Sequence, residues 1–286
     1  MSIARLNLTN PNDSDVKFKI SKFPDGQQTV DIESSPMYIN GLSVKIMSRM
    51  NSFRDIELII AANQALRGMG VGSVTLYSPS FLGARSDRKF QQGGINYLKN
   101  VICPIINTQK FDCVLVLDPH SDVLEACLNN FEKINNHTIV KYALTDIDNK
   151  NDAQDRICLV SPDAGAYKKI FDVAKEFGID NIVTATKVRD LRTGKILRTE
   201  VPTPDMHNDI KYVIVDDICD GGRTFTEIAK AIKAVRPTAK IYLIVTHGIF
   251  SAGFEELNAQ FEKIFSTNSY GDFDNPKLLQ FNVFKN

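Results

Sequence analysis

Short β-branched apolar runs alternate with longer amphipathic segments along most of the chain, the pattern of a parallel sheet covered by helices. "IELIIAANQALRGMG" (56–70) predicts a helix closed by glycine, and "VGSVTLYS" predicts the strand after it. "FDCVLVLDPHS" predicts a buried strand ending in Asp118 and His120, and "DRICLVSPDAG" repeats the design with Asp163 at its exit. "AYKKIFDVAKEFG" reads as the following helix, and "IDNIVTAT", "IKYVIVDD" and "AKIYLIVTHGIFS" continue the series of strands. Each apolar run passes into polar residues at its carboxyl end, the edge at which open α/β sheets bind ligands. The polar, strand-poor "ALTDIDNKND" (143–152) is the expected linker, dividing the chain into domains 1–143 and 144–286. A second polar stretch, 187–205, reads either as a functional mobile segment or as a solvated β-hairpin.

Composition narrows the function. The chain has 286 residues, 43% of them hydrophobic, enough for two domains with real cores. Its 34 basic and 34 acidic residues cancel, so no global field favours nucleic acid or an anionic membrane, and any bound anion is held locally. No apolar run approaches the roughly 20 residues of a membrane span, and a cytoplasmic protein is expected. The 5 cysteines show no metal-ligand spacing; Cys113 and Cys158 lie in apolar runs and are expected to act as small buried hydrophobes.

Candidate chemistry concentrates in "VIVDDICDGGRTF" (213–225). A strand, a tight glycine turn and a helix form an anion cradle, because backbone N–H groups converge where the helix dipole favours negative charge. Gly221 and Gly222 let the backbone approach a ligand, Thr224 adds a hydroxyl, and the absence of a Lys-Ser/Thr pair excludes a Walker loop. Successive strand side chains point to opposite faces, so Asp216 and Asp217 cannot both serve one phosphate; ribose hydroxyls and a hydrated magnesium ion suit them better. The plain structural alternative is an acidic surface turn with Asp220 as helix N-cap.

This stretch resembles the phosphoribosyl-diphosphate motif of type I phosphoribosyltransferases, and most closely the D-D-x-x-D-T-G-G-T pattern of ribose-phosphate diphosphokinases. Further elements resemble that family in the same order: "FPDGQ", "NSFRDIELI", "SPSFLGARSDRKF", "LDPHS", "VSPDAG", "TKVRD" and "VTHGIFS". The resemblance implies an α/β protein of two tandem phosphoribosyltransferase-like domains, each a mostly parallel sheet flanked by helices. It implies an ATP-binding domain first and a phosphoribosyl-binding domain second, with the path of the closing "KLLQFNVFKN" left open.

The implied reaction moves the β,γ-diphosphate of ATP to the anomeric hydroxyl of a 5-phosphorylated ribose, with Mg2+, and releases AMP. Lys187 and Arg189 would be the catalytic cations, brought over the bridging oxygens by loop closure. Phe23, Asp25, Gln27, Arg85, Asp87 and His120 would bind ATP; Asp118, His120 and Asp163 would serve the metal. Asp216, Asp217, Asp220, Gly221, Gly222, Arg223 and Thr224 would bind the ribose phosphate. His137, His207 and His247 are left with structural roles. The implied partners are these two small substrates, with no nucleic acid and no membrane, and a homo-oligomer of at least a dimer.

Two departures from the family pattern matter. Where the family has small residues in its loop, Arg223 brings a charged fork that could clamp a diphosphate bidentately or point to solvent. The first option suggests ADP-ribose as acceptor, giving ADP-ribose 1-diphosphate for NAD-related metabolism; a non-catalytic phosphoribosyl-binding regulator and a phosphoribosyltransferase are further alternatives. "QQGGINYLKN" also replaces the segment tied to the family's regulation and hexamer contacts, and the shorter length suggests a trimmed C-terminal region.

Overall fold

The computed structural model describes residues 3–148, 156–189, 196–202 and 210–285, the side chains of 187–189 and 196–198 excepted. The chain divides into two compact units, Met1–Asn135 with Asn282–Asn286, and Asn136–Phe281.

The first unit is built on a five-stranded parallel sheet. Its strands are β1 (Ala4–Asn7), β4 (Ser43–Met47), β5 (Ser73–Tyr77), β6 (Cys113–Leu117) and β7 (Phe131–Ile134), in the order β1-β4-β5-β6-β7. An antiparallel hairpin, β2 (Phe18–Lys22) and β3 (Gln28–Ile32), is inserted after β1. The helices are α1 (Pro36–Ile39), α2 (Phe53–Gly68), α3 (Cys103–Thr108) and α4 (Val123–Cys127). α2 starts earlier than its apolar periodicity suggests, because Ser52 and Asp55 form a capping box that satisfies two N-terminal donors. Ile56, Ile59, Ala62 and Leu66, at helical spacing, bury its inner face. On another part of the sheet, Phe284 is buried against Met47 and Tyr77, so the last described residues close the first unit rather than the second.

The second unit carries a six-stranded parallel sheet in the order β15-β14-β13-β12-β8-β9. The strands are β8 (Ile157–Ser161), β9 (Ile182–Thr184), β12 (Lys211–Cys219), β13 (Lys240–Gly248), β14 (Lys263–Thr267) and β15 (Leu278–Phe281). A separate antiparallel ribbon joins β10 (Thr186–Arg189) to β11 (Ile196–Glu200). Among the described residues the helices of this unit include α5 (His137–Ile147), α6 (Tyr167–Phe177), α7 (Arg223–Val235) and α8 (Glu255–Gln260). α5 and α6 cover one face of the sheet and α7 with α8 the other.

The linker expected at 143–152 is corrected in part. Residues up to Ile147 are helical, with Ile139, Val140, Ala143, Leu144 and Ile147 buried at helical spacing, while 149–152 lie outside the described residues. The polar residues that suggested a linker are largely this helix's outer face.

Candidate active site

β12 is apolar through Val215 because both its faces are covered. Val213 and Val215 pack on the α5/α6 side, and Tyr212 and Ile214 on the α7 side. Alternation then assigns Asp217 to the α6 side and Asp216 to the α7 side. Asp217 is buried, with Oδ2 3.8 Å from Lys169 Nζ on α6. Asp216 Oδ1 accepts the Asp217 backbone N–H at 2.9 Å. Burial, followed by the neighbouring Asp217 carboxylate, pushes Asp216 well above the ordinary carboxylate range.

Beyond Cys219 the chain turns into α7. Gly222 is its N-cap at φ +78°, and a Cβ there would stand 2.9 Å from Leu257 Cδ2 of α8, so both conformation and space call for glycine. The N-cap position thus falls to Gly222 and not to Asp220, whose Oδ1 accepts from Ser251 Oγ at 2.6 Å. Gly221 lies at the exposed bend and Thr224 is half-buried in the first helical turn. Arg223 is 89% exposed, its Nε 2.9 Å from Glu227 Oε1 one turn along α7. Of its two orientations left open by the sequence, this is the solvent one.

Asp163 stands between β8 and α6. Its Oδ1 accepts from the backbone N–H groups of Gly165 (2.9 Å) and Ala166 (3.1 Å), and its charge adds to the field that raises Asp216. The expected catalytic segment leaves from the same sheet edge: the Ala185 N–H donates to Ser161 O, and β10 follows immediately. In β10 the backbone of Lys187 pairs with Thr199 and that of Arg189 with Ile196, across an irregularity after Val188. The hairpin reading of this segment therefore holds for its backbone; 190–195 and 203–205 lie outside the described residues. So does His207.

In the first unit, Asp118 is buried directly after β6, in a left-handed backbone conformation (φ +39°) unusual for a non-glycine residue. His120 follows, half-buried. Folding brings Asp87, far away in sequence, to His120. Burial works to raise the Asp87 pKa, but the Arg88 guanidinium at 3.0 Å, Ser121 and the His120 charge outweigh it and hold the group below its ordinary value. Arg85 is exposed on the same segment. Phe23, Asp25 and Gln27 occupy the tip of the β2–β3 hairpin, where Phe23 is 51% exposed and Asp25 Oδ1 accepts the Gln27 N–H at 3.1 Å. Gln27 also borders an open groove with Phe53, Glu57 and Ile60 of α2.

Other candidate groups have structural surroundings. His247 is buried with Nδ1 2.8 Å from Ser269 Oγ, and His137 packs edge-on against Phe177. Burial pushes the Cys158 and Cys219 thiols up to about 12, which removes them as nucleophiles near neutral pH. Among the described residues no three His, Cys, Asp or Glu side chains cluster as metal ligands. Asp118 and Asp163 offer carboxylate oxygens of the kind magnesium takes, one or two at a time, with water and phosphate completing its shell. In that chemical sense the residues fit the ion.

Lys169, Ser251 and Leu257 stand against the candidate residues Asp217, Asp220 and Gly222, and the sequence singled out none of the three. Ser251 closes "VTHGIFS", so a family element did mark its position; no local pattern singles out Lys169 or Leu257.

A sheet of this order, with a carboxylate pair at a strand end and a left-handed glycine opening the next helix, has the α/β architecture expected of a phosphoribosyltransferase-like domain. Residues 126–256 match the sequence model of the phosphoribosyl transferase domain. The chain is 24% identical to the ribose-phosphate pyrophosphokinase of Vibrio parahaemolyticus, covering 87% of this chain and 77% of that one. It is 28% identical to the same-named protein of Chlorobaculum tepidum, over 88% of this chain and 75% of that one. A crystal structure of a phosphoribosylpyrophosphate synthetase from Mycobacterium smegmatis shares the fold, with a TM-score of 0.76 at 17% identity over 96% of this chain and 88% of that one. Over most of its length the chain is thus similar to ribose-phosphate pyrophosphokinases, with which it shares a fold.

Proposed function

We propose that this protein transfers the β,γ-diphosphate of ATP to the anomeric hydroxyl of ribose 5-phosphate, releasing AMP. The observation that carries the reading is the turn from β12 to α7, with two carboxylates at the strand end and the helix N-terminus opened by Gly222. The anomeric oxygen forms a bond to the β-phosphorus, the bond from that phosphorus to the α,β-bridging oxygen breaks, and the hydroxyl proton is lost.

In this reading Asp216 and Asp217 receive the ribose hydroxyls and the 220–224 turn receives the 5-phosphate. Lys187 and Arg189 supply positive charge where the phosphoryl oxygens gain negative charge. Phe23, Asp25, Gln27, Arg85 and Asp87 serve ATP, Asp118 and His120 would hold magnesium directly or through water, and Asp163 would serve a second ion or the ribose. Magnesium, when bound, neutralises phosphate charge. A homo-oligomer in the cytoplasm is the accompanying expectation.

ADP-ribose is the competing acceptor. The exposed Arg223–Glu227 pair favours ribose 5-phosphate, since the guanidinium neither crowds a monoester nor is held in position for a second phosphate. The test is AMP release from Mg-ATP with each acceptor in turn. Turnover with ribose 5-phosphate alone supports the main reading, turnover with ADP-ribose alone replaces the acceptor, and no AMP with either overturns the activity.

A further inference from the structure

We infer that Ser251 is a positioning residue for the acceptor's phosphate, acting through Asp220; the inference rests on the function proposed above. A carboxylate is an awkward member of an anion cradle, because it repels the phosphate that the helix N-terminus attracts. Its orientation therefore decides whether the turn binds. The Ser251 hydroxyl donates to Asp220 Oδ1 at 2.6 Å, a length typical of a hydroxyl-to-carboxylate bond.

The loop that carries Ser251 is tied to the cradle by its backbone as well. The Ile249 and Phe250 N–H groups donate to Cys219 O at 2.8 and 3.2 Å, and the Ser251 N–H donates to Asp220 O at 3.2 Å. Phe250 sits at φ +49° with its ring so close to Gly248 that a Cβ there would overlap it at 2.1 Å. Phe250 also packs on Phe254 and Phe273, at centroid distances of 4.6 and 5.3 Å. This aromatic trio fixes the loop from behind.

Ser251 lies 3.7 Å from the point where Gly221 would carry a Cβ. It thus flanks the bend on the side where that residue contributes no side chain. The loop after β13 presents one hydroxyl to one carboxylate, and that contact holds the Asp220 charge in a single direction while the backbone of the turn receives the phosphate.

The experiment compares the protein with Ser251→Ala and Ser251→Thr. Ribose 5-phosphate is titrated calorimetrically in the presence of magnesium and α,β-methylene-ATP, whose α–β bridge cannot be cleaved by the transfer. Steady-state AMP release with each substrate varied gives the kinetic half. Ser251→Ala is expected to weaken ribose 5-phosphate binding about tenfold, with ATP half-saturation and kcat within about twofold, and Ser251→Thr to restore binding. In an Asp220→Asn background, where the charge is gone, Ser251→Ala is expected to add little. Equal binding by the protein and Ser251→Ala overturns the inference alone, as does a full additive loss in the Asp220→Asn background. Failure of the unsubstituted protein to bind ribose 5-phosphate at all overturns the proposed acceptor site together with it. Thermal unfolding of each variant separates loss of binding from loss of fold.

Discussion

Lys169 Nζ on α6 stands 3.8 Å from Asp217 Oδ2 at the end of β12, a cation from one helix set against the buried member of the carboxylate pair. The contact crosses from α6, the helix that follows β8, to β12, two segments brought together only because β8 and β12 are adjacent strands. Lys169 is one-third exposed, so the pair is partly screened. Lys169→Ala is expected to raise the half-saturation for ribose 5-phosphate about fivefold, and Lys169→Arg to keep most of the affinity. Steady-state AMP release with acceptor varied reads the effect; an unchanged value means that Lys169 does not orient Asp217.

Asp216 yields a pH prediction. Its carboxyl is raised in the folded protein relative to 3.8 by burial and by Asp217. The folded state then binds more protons than the unfolded state between those two values. The stability associated with the protonated form is fully present below 3.8 and is lost as pH rises through the folded value. Asp216→Asn, neutral throughout, should therefore melt higher than the unsubstituted protein at neutral pH, with the gain shrinking toward pH of about 4. Melting curves across pH in chelator check the sign. A gain that grows on acidification contradicts it.

Lys187→Ala and Arg189→Ala are each expected to lower kcat by about a hundredfold or more while leaving nucleotide affinity nearly intact, because the cations act on charge that develops during transfer. Single-turnover AMP formation together with equilibrium ATP binding separates the two effects. A parallel loss of both would assign these residues to ground-state binding instead.

Gly222→Ala meets two penalties, a positive φ and a Cβ at 2.9 Å from Leu257 Cδ2. The expected destabilisation is about 2 kcal/mol, with a larger loss in acceptor binding than in ATP binding, since the cradle itself must shift. Urea unfolding and acceptor titration measure the two consequences.

Asp148 lies at the other end of β12 from the carboxylate pair. It is buried, with Lys211 Nζ at 3.0 Å and Arg156 Nε at 3.2 Å from its Oδ2. Asp148→Ala leaves both cations without this counter-ion and should cost about 3 kcal/mol in denaturant unfolding. Acceptor and ATP half-saturation should stay unchanged, which distinguishes this cluster from the Lys169–Asp217 contact.

How much of the candidate site was legible depended on whether its residues are contiguous. Asp216 to Thr224 could be read because a strand end, a glycine turn and a helix start must follow one another along the chain to make an anion cradle. Asp118 and His120 could be read because both follow directly from one apolar run. Asp87 beside His120, and Ser251 on Asp220, depend on approaches between distant segments. The linker expectation failed over 143–147 because the polar outer face of α5 resembles loop composition when its buried residues are not weighed as a helical stripe.

The sequence by itself determined the alternation of buried strands and amphipathic helices, and with it the α/β class and the carboxylate turn, since periodicity and turn chemistry are local properties. Only the tertiary structure decided which side each of Asp216 and Asp217 takes, that Arg223 pairs outward with Glu227, that Ser251 and Lys169 hold the two carboxylates Asp220 and Asp217, and that Phe284 closes the first unit. Those outcomes follow from which strands lie side by side and which faces remain to be covered, and such long-range packing leaves no periodic trace along the chain.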